Sequence, residues 1–152
     1  MVPDNGDMPA DRTSTLPTDR QGLPERQIHR RVAALLILIA ASLAVASIVH
    51  LAGHVQGRSD LFDADDAGIA EAVIGAVLAA GALVMLRAPG RARSAGLAAT
   101  AFAVAGFLVG LGITARGGHL PDIAYHLVVL PLLIGGFIVL AREPRRSTGR
   151  RQ

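Results

Sequence analysis

Cysteine is absent from this chain of 152 residues, and so are lysine and tryptophan. Without cysteine there are no disulfides, thiolate nucleophiles, zinc-thiolate sites or iron–sulfur clusters. Without lysine, all 15 basic residues are arginine, which reads as codon bias of a GC-rich genome and not as function. Aromatic residues make up 3%, and none interleaves with the arginines. The base-stacking platforms of nucleic-acid binders are therefore missing, and no nucleic-acid partner is expected. No serine has a G-x-S-x-G context, no glycine loop is built to cradle phosphate, and no soluble domain is left to hold a substrate. Catalysis has no motif to stand on.

What the chain has in quantity is apolar sequence. Hydrophobic residues make up 51%, too many for a soluble domain of this size to cover with polar groups, and they fall in four blocks of about 20 residues. The spacing predicts spans over residues 32–54, 67–86, 94–115 and 121–141. At about 1.5 Å rise per residue, each block crosses a hydrocarbon core of about 30 Å. The fold class expected is all-α, an integral membrane four-helix bundle with up-down-up-down connectivity, because short connections make neighbours antiparallel. Residues 1–28 are polar and of mixed charge, and read as a disordered tail. Residues 142–152 read as a second, basic tail. Arg30-Arg31 ahead of an apolar run and Ala44-Val45-Ala46 also resembles a twin-arginine export signal with its cleavage site. The apolar run continues past that point to Val49 and Leu51, which favours a retained helix.

Arginine sets the orientation. Arg26, Arg30 and Arg31 flank the first span, Arg87, Arg91 and Arg93 fill the middle turn, and five more lie in the tail. The other two connections carry only Arg58 and Arg116, and the first of them has four aspartates. The positive-inside rule places both termini and the middle turn in the cytoplasm of a bacterial cell, with the bilayer of the cell membrane as the first partner. Asp65 and Asp66 are placed to cap the second span, Pro121 opens the fourth, and Pro131 lies inside it. Small residues suggest contacts: Gly106-x-x-x-Gly110, and Gly68, Ala72, Ala76 and Ala80 at four-residue spacing. Thr100 and Thr114 are expected to bond back to their own helix. Tyr125 is expected to anchor at the interface, and His29 to sit among the arginines at the headgroups.

The remaining polar chemistry gathers at two junctions, residues 47–71 and 116–126. This topology puts His50, His54, Glu71, His119, Asp122 and His126 on the outer side at similar depth. His50 and His54 are four apart and would share a helix face. His119, Asp122 and His126 would share another. Ionisable groups at membrane depth are costly and face a partner or a cavity. One reading is a transition-metal site of His50, His54, Glu71 and His126, with Asp122 orienting His126 and His119 also in the outer shell. A second is haem held by a histidine of the first span and by His126. A third is a polar set whose members bond each other or reach headgroups and water. The functional expectation is a small membrane subunit, metal- or haem-linked. The alternatives are a structural assembly subunit without cofactor, or a small oligomeric cation channel or exchanger using Glu71. Either a membrane-protein partner or a homo-oligomer would suit these roles.

Overall fold

A computed structural model describes residues 22–55, 63–117 and 119–143. Of the tails expected over 1–28 and 142–152, residues 1–21 and 144–152 lie outside the described residues, as does most of the acidic connection. Four helices account for the described chain: α1 (Gly22–Leu51), α2 (Ala64–Arg87), α3 (Ala92–Gly117) and α4 (Leu120–Ala141). No strand occurs among the described residues. All four are long and apolar enough to cross a membrane, as in a multi-pass membrane protein. Their outward faces agree with that. Leu38, Ile48, Val109, Val128 and Leu120 are each more than 60% exposed, a surface that water tolerates poorly and lipid accepts.

Each helix boundary has a local cause. Asp63 caps α2, its carboxylate accepting from the main-chain N–H of Asp65 (2.9 Å) and Asp66 (3.4 Å). Asp65 and Asp66 therefore occupy the first turn, where the helix dipole favours them, and the cap itself lies earlier than expected. α1 ends in a Schellman motif. Gly53 takes a left-handed φ of 71°, its N–H reaches His50 O at 3.0 Å, and the N–H of His54 reaches Val49 O at 3.2 Å. At its other end α1 opens at Gly22, so residues 22–28, expected to be unstructured, extend the first helix. A single 3-10 turn at Pro89–Arg91 joins α2 to α3, as the Pro-Gly pair requires. α4 starts after His119 with Pro121 in its first turn and runs on through Pro131.

Successive helices pack in order, α1 on α2, α2 on α3 and α3 on α4, with lighter contacts closing α1 onto α3 and α4. Residue pairs across each seam run in opposite directions. Gly96 meets Leu140, and Gly110 meets His126. On the α1–α4 seam His29 meets Glu143, and His50 faces Asp122. The bundle is up-down-up-down, as expected.

The inward faces follow a repeat of alternating threes and fours, the period of left-handed helix packing. In α2 that face is Gly68, Glu71, Gly75, Leu78, Ala82 and Met85; all are buried save Glu71, which is half-buried. Ala72, Ala76 and Ala80 are exposed, so the stripe expected at four-residue spacing is not the contact. The working small residues are Gly68 and Gly75. A Cβ on Gly68 would lie 2.8 Å from Leu51 Cγ, and one on Gly75 would lie 3.4 Å from Ala40 O. Gly106 and Gly110 are both close-approach positions, but against different neighbours. A Cβ at 106 would meet Ile74 of α2 at 2.6 Å, and one at 110 would meet His126 of α4 at 2.7 Å.

Polar groups at the Arg93 end are satisfied across helices. Arg93 donates from Nε to Leu140 O (3.0 Å) and from Nη2 to Ala141 O (3.1 Å), which serves carbonyls that the last turn of α4 leaves without helical partners. His29 lies 2.8 Å from Glu143 Oε2, so it is tied to the end of α4 instead of standing among the arginines. Thr100 and Thr114 donate to Gly96 O (2.6 Å) and Gly110 O (2.8 Å), the back-bonding expected of them. The Arg93 cap has a measurable consequence. Arg93→Ala should lower the thermal midpoint in detergent by the equivalent of about 1.5–3 kcal/mol, the range for hydrogen bonds that involve a charged group. Arg93→Lys, with one compact donor group, should recover only part of it.

Candidate functional site: a polar layer under a lateral cavity

Toward the Asp63 end of the bundle, the inward repeat changes character. Leucine and alanine give way to Ser47 and His50 in α1, Glu71 in α2, Thr114 in α3, and Asp122 and His126 in α4. These occupy the same packing positions that Leu36, Leu78, Ala103 and Leu133 occupy nearer the Arg93 end. A polar layer is built into an otherwise apolar core.

His50 is its centre, 4% exposed. Its Nδ1 lies 2.8 Å from Glu71 Oε2 and 3.1 Å from Ala46 O. A main-chain carbonyl only accepts, so Nδ1 carries the proton and donates. On the other side of the ring, Nε2 faces Asp122 Oδ1 at 4.0 Å. One imidazole thus stands between two carboxylates from two other helices. Asp122 Oδ2 is buried and has no hydrogen-bond partner among the described residues. Ser47, one turn deeper, donates to Gly68 O at 2.7 Å. Gly68 is what allows this: with no Cβ to hold α1 and α2 apart, Glu71, one turn on, arrives beside His50.

His126 is oriented from within its own helix. Its Nδ1 donates to the main-chain oxygen of Asp122 at 2.8 Å, which leaves Nε2 as the acceptor in the neutral ring. Asp122 was expected to orient His126 through its carboxylate. The carbonyl does so instead, and the carboxylate turns to His50. Tyr125 was expected as an interfacial anchor. It points inward, and its hydroxyl lies 2.7 Å from Ser42 Oγ. Ser42 gives its only proton to Ile39 O (2.8 Å), so Tyr125 is the donor. Tyr125 and His126 also stack around the buried ring of Phe107, with centroids 6.0 and 5.1 Å from it.

Above this layer lies a cavity of about 800 Å³. Its floor is His50, Glu71, Tyr125 and His126, with Leu43 and Phe107. Its walls are α2 and α3, from Ala70, Val73 and Ile74 to Phe102, Val109 and Ile113, and Asp63 and Asp66 line its end. Several wall residues, Val73, Phe102, Val109 and Ile113 among them, are also exposed, so the cavity opens sideways between the two helices. The cause is in the chain: the turn at Pro89–Arg91 ties α2 to α3 at one end, and Gly106 lets them touch at Ile74.

The remaining candidates lie elsewhere. His54 and His119 line a second, smaller cleft of about 360 Å³ with Asp122 and Pro121. His54 does not share a face with His50, because α1 ends at Leu51 and the left-handed Gly53 redirects the chain. The four residues proposed as metal ligands are therefore divided: His50, Glu71 and His126 at the cavity, His54 at the other cleft. Among the described residues no group of three or more His, Asp or Glu side chains is arranged to hold a metal ion. Tyr125, Ser42 and Phe107 belong to the site and were not picked out for it.

Residues 19–151 match a family of unknown function, DUF6410. The chain belongs to that family. No curated protein and no solved structure matches it.

The His50–Glu71 pair predicts an asymmetry. His50→Leu strands a carboxylate in the layer and should cost about 3 kcal/mol or more, the usual consequence of breaking one side of a buried pair. Glu71→Leu leaves the imidazole N–H with Ala46 O and should cost less. The double variant should recover most of the loss seen in His50→Leu, measured as thermal midpoints in the same detergent.

Proposed function

We propose that this protein is a multi-pass membrane protein that takes a small amphipathic molecule from the bilayer into the cavity between α2 and α3. The observation that carries the reading is the cavity itself. A space of about 800 Å³ is of the size that accommodates a drug-sized ligand, and apolar walls over a few convergent polar groups are the usual make-up of such sites. A bundle with only a structural task has no need of a polar layer within its core, where each ionisable group is costly. The sideways opening suits a ligand that arrives through lipid. The arginine distribution supports an orientation with both termini in the cytoplasm and the cavity toward the outer face of the cell membrane. The metal alternative draws no support from this geometry, because among the described residues no group of three or more His, Asp or Glu side chains is arranged to hold an ion and His54 lies at the other cleft.

The test is to fill the cavity. Ala105 lines it from α3 and is exposed on its outer side, so Ala105→Trp can occupy the space without entering the core. Native mass spectrometry of protein extracted in mild detergent should show a bound small molecule on the wild type and its loss in Ala105→Trp. Wild type and variant carrying identical adducts would end the proposal.

A further inference from the structure

We infer that the ligand is a lipophilic cation, an amine or onium group on an apolar body. This rests on the cavity reading above and adds the ligand's charge. Among the described residues, the acidic groups that line the cavity are Glu71 in its floor and Asp63 and Asp66 at its end, and no arginine lines it. The basic groups among the described lining residues are the imidazoles of His50 and His126. His50 stands between Glu71 and a further carboxylate, Asp122. Two imidazoles offset at most two carboxylates, while three line the cavity and Asp122 stands beside His50, so the formal balance of the site is negative whichever states the imidazoles adopt. In a low-dielectric setting a residual negative charge attracts a cation strongly. An anionic headgroup would meet repulsion at the floor and again at the rim.

The walls suit the rest of such a ligand. Phe102 on one side and Tyr125 in the floor line the same space, and aromatic rings attract ammonium and onium groups through their quadrupole. The donors His50 Nδ1–H and Tyr125 O–H are already committed, to Glu71 and to Ser42. Among the described lining side chains, what remains is acceptor: the Glu71, Asp63 and Asp66 carboxylates, and His126 Nε2 in its neutral form. A site rich in acceptors and poor in free donors selects for a ligand that brings positive charge or N–H groups.

Tetraphenylphosphonium and tetraphenylborate make the test, being matched in shape and opposite in charge. Binding of each is measured by equilibrium dialysis to wild-type protein in nanodiscs of zwitterionic lipid, with protein-free nanodiscs subtracted. The phosphonium should bind at least about tenfold more tightly than the borate, from the difference in charge interaction at the floor. Ala105→Trp should abolish that binding. Glu71→Gln, which keeps an acceptor for His50, should weaken it by about tenfold. Asp66→Asn, an exposed change at the rim that does not touch the core, should weaken it by about two- to threefold through the smaller interaction of a solvated charge, and guards against misfolding of the Glu71 variant. Equal binding of both probes, lost in Ala105→Trp but unaffected by Glu71→Gln and Asp66→Asn, would overturn the charge assignment and leave the cavity reading standing. Preference for the borate, or a phospholipid as the molecule retained on the wild type, would also overturn it. Binding of neither probe, with identical adducts on wild type and Ala105→Trp, would remove both.

Discussion

A carboxylate inside a helical bundle must be met by a partner, and here that partner is the Nδ1–H of His50, 2.8 Å from Glu71. The rest of this end of the molecule follows from that requirement. α1 and α2 must approach closely enough for the two side chains to touch, which Gly68 permits by having no Cβ. Ser47 must find an acceptor at the same depth, and it finds Gly68 O. The far side of the imidazole must face something polar, and α4 supplies Asp122. Three helices are thereby brought together around one imidazole, and the cavity is the space between α2 and the fourth helix, α3.

The two ends of the bundle are held by different means. Toward the Arg93 end the core positions are apolar and close-packed, with Gly96 against Met85 and Leu140, and Arg93 caps α4. Toward the Asp63 end the same packing positions are polar and the walls stand apart. Lipid offers no hydrophobic reward for bringing helices together, so small residues and hydrogen bonds decide where they touch. A bundle tight at one end and open at the other is the expected result when those residues are unevenly placed. The α1–α4 seam shows the same economy, pinned by His29–Glu143 and Ser42–Tyr125 with His50 facing Asp122 beyond them.

The number of helices and their approximate limits were legible because the physics behind them is local. A run of some 20 uncharged residues has few alternatives, and Asp63, Gly53, Pro89-Gly90 and Pro121 are punctuation that acts within a turn of itself. The gathering of His50, Glu71, Asp122 and His126 at one depth was also legible, since depth follows from distance along a helix. Boundaries were less so. Ending α1 at Leu51 instead of His54 takes His54 off the face it would have shared with His50, and a difference of one turn decided that.

By itself, then, the sequence determined that the chain forms four apolar helices with short connections, and that its ionisable groups lie near the junctions. Only the tertiary structure decided which of those groups meet. Whether Asp122 turns its carboxylate to His126 or to His50, whether Tyr125 faces lipid or Ser42, and whether Gly106 and Gly110 serve one neighbour or two, all depend on how each helix is rotated about its axis. In a chain so rich in alanine and leucine, hydrophobic periodicity says little about that rotation. It is fixed instead by a few close approaches, at Gly68, Gly75, Gly106 and Gly110, whose partners lie on other helices and are not written in the local sequence.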